Sequence, residues 1–110
     1  MRGYFVDELL LITPLHRAAG VRLYGEVVGA HKASLAVAVT DYSRSAEEIT
    51  VDLTQVRYLA NSALETLVAL ARSLSPPQCL RVLAGPELRV GERLAAGGWD
   101  RIETLRLTSE

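Results

Sequence analysis

The chain has 110 residues, 49% of them hydrophobic and only 5% aromatic, with a formal net charge of -1. That length suits one domain with its own core. The single cysteine, Cys79, excludes a disulfide framework, no apolar run reaches the ~18 residues of a membrane span, and Asp7-Glu8 interrupts any secretory signal. A near-neutral chain also lacks the excess positive charge that draws proteins to nucleic acid, so a cytoplasmic domain with an aliphatic core is expected.

Glu8–Thr13 is a short apolar run closed by Pro14 and reads as a strand near a sheet edge. His16–Gly20 reads as a turn. Val21–Val27 alternates, with Val21, Leu23 and Val27 on one face and Arg22, Tyr24 and Glu26 on the other. The short connection predicts a hairpin between these two strands.

After Gly29 the period changes. Leu35, Ala38, Val39 and Tyr42 form a helical stripe. Ile49–Leu53 alternates again as a strand, and Thr54–Tyr58 reads as the connection to a second helix. That helix is marked by Leu64, Leu67, Val68, Ala71 and Leu74, and Pro76-Pro77 stops it. Leu80–Ala84 is a further strand. Gly85-Pro86-Glu87 opens a third helix that Gly97-Gly98 ends, and Ile102–Leu107 is a closing strand. This alternation predicts a single α/β domain: a mostly parallel sheet, an N-terminal hairpin, and helices packed on the sheet.

Catalytic and metal signatures are not found. His16 and His31 read as two exposed loop histidines, and Cys79 as a structural thiol remote from any activating group. Neither phosphate-loop pattern occurs. Asp52, the one acid in an apolar strand, is expected to bond a neighbouring backbone N–H. No cofactor and no metal are called for. The junction Ala60-Asn61-Ser62-Ala63-Leu64-Glu65 carries more: Ser62 and Glu65 have the spacing of a capping box, with Asn61 as the other candidate cap. A hydroxyl at a helix start is also where an added phosphate would meet free N–H groups.

The stretch Gly20–Val27, the helix after it, and Ile49-Thr50-Val51-Asp52-Leu53-Thr54-Gln55-Val56-Arg57-Tyr58-Leu59-Ala60-Asn61-Ser62-Ala63-Leu64 together resemble the STAS domain of bacterial anti-sigma factor antagonists. The shared marks are the strand–helix order, Gly25-Glu26 late in the second strand, and the D-L-[ST]-x-V-x-[FY] pattern at Asp52–Tyr58. The resemblance covers roughly residues 7–107.

It implies a non-catalytic, protein-binding regulator whose partner is an anti-sigma factor that is also a serine kinase. It also implies phosphorylation of the second hydroxyl in a D-[ST]-[ST]-G junction. Carried over, the acceptor falls on Ser62, while Ala60, Asn61 and Ala63 replace the Asp, first hydroxyl and Gly, and Val28 replaces an Asp after Gly-Glu. The expected docking residues are Val28, Gly29, His31 and Lys32 in one loop and Ala60, Asn61, Ser62, Ala63, Leu64 and Glu65 in the other. The altered junction leaves a module unregulated by phosphate as the alternative, with small-ligand binding as a further one.

Overall fold

The structure, a computed structural model, describes residues 4–109. Six strands form one sheet in chain order: β1 (Phe5–Val6), β2 (Leu10–Pro14), β3 (Gly20–Val27), β4 (Glu48–Leu59), β5 (Cys79–Ala84) and β6 (Leu105–Ser109). The first three are antiparallel neighbours, and β3 to β6 are parallel. The helices α1 (Lys32–Ser43), α2 (Asn61–Arg72) and α3 (Val90–Ala96) make the three crossovers. Because the parallel strands advance steadily across the sheet, right-handed crossovers bring these helices to the same face. α1 lies against α2, and α3 approaches Leu107 of β6 at Gly91.

The core sits between this face and the helices. Ile12, Leu23, Ile49, Val51, Leu53, Leu80 and Val82 rise from the sheet to meet Leu35, Val39, Leu67, Val68 and Leu94. The helical stripes read from spacing face the core: Leu35, Ala38 and Val39 are buried in α1 with Tyr42 half-buried against the core, and Leu64, Leu67, Val68 and Ala71 are buried in α2, with Leu74 just beyond. Cys79 is a buried free thiol. The predicted hairpin is the β2–β3 pair, with Leu11 opposite Tyr24.

Four details differ from the sequence expectation. The two-residue β1 is too short to leave a periodic signal. β4 runs through Thr54–Tyr58, which reads from sequence as a connection, because two one-residue bulges break its alternation. The first bulge falls between Asp52 and Gln55, so Leu53 and Val56, three apart, are both buried. Pro86 opens only a 3-10 turn, Pro86–Leu88, and α3 starts afresh after Arg89, whose φ of 53° breaks the path. The closing strand is displaced three residues from the predicted start at Ile102 to Leu105.

The helix-free face of the sheet carries Thr13, Arg22, Asp52 and Thr108 in one register row, with Leu83 among them. Asp52 is buried there beneath Arg22, and its Oδ1 accepts the Thr54 N–H (2.9 Å) and hydroxyl (2.6 Å) while Oδ2 accepts Arg22 Nε–H (2.9 Å). The expected bond to a neighbouring backbone N–H is thus present, with two further donors beside it. Burial alone would raise the Asp52 pKa, but the Thr54 hydroxyl, the Thr54 N–H and the Arg22 guanidinium outweigh it and hold the carboxyl below its ordinary range.

Candidate functional site

β3 and β4 end side by side at the C-terminal edge of the parallel sheet, with Val27 opposite Leu59. Each runs directly into a helical segment. After β3, a 3-10 turn at Gly29–His31 leads into α1; after β4, α2 begins at Asn61. The Ala60 N–H donates to the Val27 carbonyl (2.8 Å), which locks the two junctions together. Both candidate loops therefore share one end of the sheet, where open parallel sheets usually place binding sites.

At this end Gly29 faces Ser62. A β-carbon at position 29 would lie 3.0 Å from the Ser62 hydroxyl oxygen, so glycine permits the turn's close approach. Gly29, Lys32, Asn61, Ser62 and Glu65 are exposed, and Val28 and Ala60 are half-buried. His31, Ala63 and Leu64 are buried, so they shape the end from beneath and present no surface of their own. A groove of about 730 Å³ runs away from Ser62 between α1 and α2, past Lys32, Ala33, Ala36, Thr66 and Ala69.

The start of α2 is not a capping box. Ala60 is the N-cap, its side chain can accept nothing, and Ser62 lies inside the first turn with its hydroxyl free of any cap bond. Asn61 is engaged instead by Arg93 of α3, whose Nη2 donates to Asn61 Oδ1 (2.8 Å) and to the Leu59 carbonyl (2.7 Å). Nη1 of the same guanidinium donates to the Leu88 carbonyl (3.3 Å). Arg93 thus ties the end of β4, the start of α2 and the turn before α3. Nothing local in the sequence marks it, since Asn61 is 32 positions away.

His31 corrects the expectation of two exposed histidines. His16 is exposed, but the His31 side chain is only 2% exposed. The Val28 N–H donates to His31 Nδ1 (3.0 Å), so Nδ1 carries no proton and the proton resides on Nε2. That Nε2–H donates to Asp7 Oδ2 (2.7 Å), and Phe5 stacks edge-on against the imidazole with ring centroids 5.9 Å apart. Asp7 Oδ1 accepts the N–H groups of Leu9 and Leu10, each at 2.8 Å. The Leu10 and Leu9 N–H groups, followed by His31, hold the Asp7 carboxyl below its ordinary range. Sequence spacing conceals this partnership, since 24 positions separate the two residues.

Among the described residues no group of three or more His, Cys, Asp or Glu side chains is placed to hold a metal, and no helix is long and apolar enough to cross a membrane. This end of the molecule presents the Ser62 hydroxyl and the Asn61 amide beside two charged groups, Lys32 and Glu65.

Comparison with known proteins gives three matches. The family model described as "Mlab, STAS domain" matches residues 14–107. An anti-sigma factor antagonist from Mycobacterium paratuberculosis superposes with a TM-score of 0.71 at 22% identity, covering 92% of this chain and 88% of the other. The anti-sigma factor antagonist SpoIIAA in its unphosphorylated form superposes with a TM-score of 0.66 at 12% identity, covering 92% and 87%. At these identities the two structures show a shared fold. A sequence search of curated proteins finds no match.

Proposed function

Because the chain belongs to the STAS-domain family of the Mlab type, we propose that it is a non-catalytic regulatory module that docks on a protein partner through the paired ends of β3 and β4. Its partner is an anti-sigma factor with serine kinase character, and phosphorylation of Ser62 switches the contact. The observation that carries this reading is the Gly29–Ser62 approach: an exposed hydroxyl stands at a helix start, beside a turn without a side chain to cover it. A phosphate there would place a dianion among Gly29, Lys32 and Glu65 and change the charge of the whole docking end. The neighbouring structure of an antagonist in its unphosphorylated form supports the same direction.

Incubation with ATP and the serine-kinase-type anti-sigma factors of the source genome, followed by intact-mass analysis, tests the switch. One added phosphate that is absent in Ser62→Ala is the expected result; no mass change with any of these kinases, or a change that persists in Ser62→Ala, overturns it.

A second reading is a constitutive docking module without a phosphate switch. It is favoured by Ala60, which provides no side-chain acceptor at the N-cap, and by Ala63, whose methyl group is buried. Under this reading Ser62→Glu leaves partner affinity unchanged, whereas the switch predicts a loss of about ten-fold or more, worth ~1.4 kcal/mol.

A further inference from the structure

We propose that Asp7 and His31 act as a strut that positions the docking turn, coupling the β1–β2 turn to the conformation of Val28–His31 beside Ser62. The consequence for docking rests on the function proposed above; the coupling itself does not. The two hydrogen bonds of the imidazole go to two separate turns, Val28 N–H on Nδ1 and Asp7 Oδ2 on Nε2–H. The Asp7 carboxylate is in turn fixed by the N–H groups of Leu9 and Leu10. The relay thus passes from a backbone turn, through one carboxylate and one buried ring, to the N–H that opens the Gly29–His31 turn. Gly29, the next residue, faces Ser62, and a β-carbon there would lie 3.0 Å from the Ser62 hydroxyl oxygen.

The chemistry of the relay is directional. Nδ1 must accept and Nε2 must donate, so only one tautomer fits both turns. The Asp7 side chain is 40% exposed, so the outer end of the strut is open to solvent and to anything that docks on the β1–β2 turn. A change there removes the acceptor for Nε2–H. If the ring then shifts its proton to Nδ1, that proton faces the Val28 N–H, donor against donor, and the turn beside Ser62 must move.

Asp7→Asn tests this. The amide oxygen can still accept from Leu9 and Leu10, but its NH2 group then faces Nε2–H, and one of the two imidazole bonds must break. In the unmodified protein, long-range 15N spectra should show a protonated Nε2 and a bare Nδ1 on His31. In Asp7→Asn the amide signals of Val28, Gly29 and Ser62 should shift, and the Val28 amide should exchange about ten-fold faster, as expected when one buried bond is lost. A purely structural role would lower overall stability and leave those three signals in place. Should Asp7→Asn fail to fold, Asp7→Ser keeps an acceptor for the β1–β2 turn but falls short of the imidazole, and the same signals should move. A protonated Nδ1 in the unmodified protein, or unmoved Val28, Gly29 and Ser62 signals in the folded variant, overturns the strut. These readouts need no partner, so the strut can fail while docking survives, and the reverse.

Discussion

The Ser62 hydroxyl oxygen lies 3.0 Å from where a β-carbon on Gly29 would stand. The missing side chain of one junction therefore determines access to the hydroxyl of the other. Gly29→Ala adds a methyl group on that side. The Ser62 side chain can rotate away, so stability should change by less than about 1 kcal/mol. Under the proposed switch, phosphorylation of Ser62 by the partner kinase should slow by about ten-fold or more, because transfer requires close, aligned approach to the oxygen. Initial rates by intact mass, set beside an unchanged melting temperature, check both halves.

Asp52 predicts a pH dependence with a definite sign. Its carboxyl is held below the ordinary range in the folded chain, against about 3.9 in the unfolded one. The folded state therefore binds that proton less readily. The stabilisation is fully present above the unfolded value and is lost as pH falls through the lower folded value. Asp52→Asn puts an NH2 group against Arg22 Nε–H and should cost about 1–3 kcal/mol near neutrality. Urea midpoints followed from neutral pH into the acid range should show the two proteins converging as pH drops. A constant gap would mean that the carboxylate charge contributes nothing.

Much of this architecture is legible in sequence because burial imposes period. Leu35, Ala38 and Val39, and then Leu64, Leu67, Val68 and Ala71, announce helices that lie on a sheet, and Val21, Leu23 and Val27 announce the strand they cover. Period fails where the backbone departs from regularity. The bulges in β4 hide its second half, and the left-handed Arg89 splits what reads as one helix into a turn and α3. The candidate end is legible in part: Ser62, Gly29 and His31 are all named from the sequence, yet the burial of His31, its partner Asp7 and the role of Arg93 are not. Their bonds join segments 24 to 34 positions apart, and no local pattern encodes a partner that distant. The capping-box spacing at Ser62–Glu65 shows the converse. The residue types fit, but the helix starts one residue before Ser62 and the motif is not formed.

Gly25 gives physical content to the Gly-Glu pair late in β3. Its φ is 107°, and a β-carbon there would meet the Leu9 carbonyl oxygen at 2.2 Å. That same carbonyl accepts the Glu26 N–H at 2.9 Å, so the crowding accompanies a hydrogen bond that closes the β2–β3 pair. Gly25→Ala combines an unfavourable backbone region with a backbone clash, and should cost about 3 kcal/mol. Gly29→Ala provides the contrast, since there the obstacle is a movable hydroxyl. Urea denaturation of the two variants should separate them clearly. Equal, small losses would show that β2 can withdraw from Gly25 without penalty.

Arg93 makes the most connected contact near the candidate end, and its bonds are not interchangeable. Arg93→Ala removes donors from the Leu59 carbonyl, the Leu88 carbonyl and Asn61 Oδ1 together, and should cost about 1–2 kcal/mol. Asn61→Ala removes one acceptor on an exposed side chain and should cost less than about 0.5 kcal/mol. Once Arg93 is gone, Asn61 has lost the partner that holds it, so the double variant should cost less than the sum of the single ones. Arg93→Lys should recover only part of the loss, because one ammonium cannot reproduce the planar fork that serves several oxygens at once. Urea midpoints of the four proteins, at constant m-value, give the cycle. Strict additivity would mean that the 2.8 Å contact between Arg93 and Asn61 does not couple α3 to the start of α2.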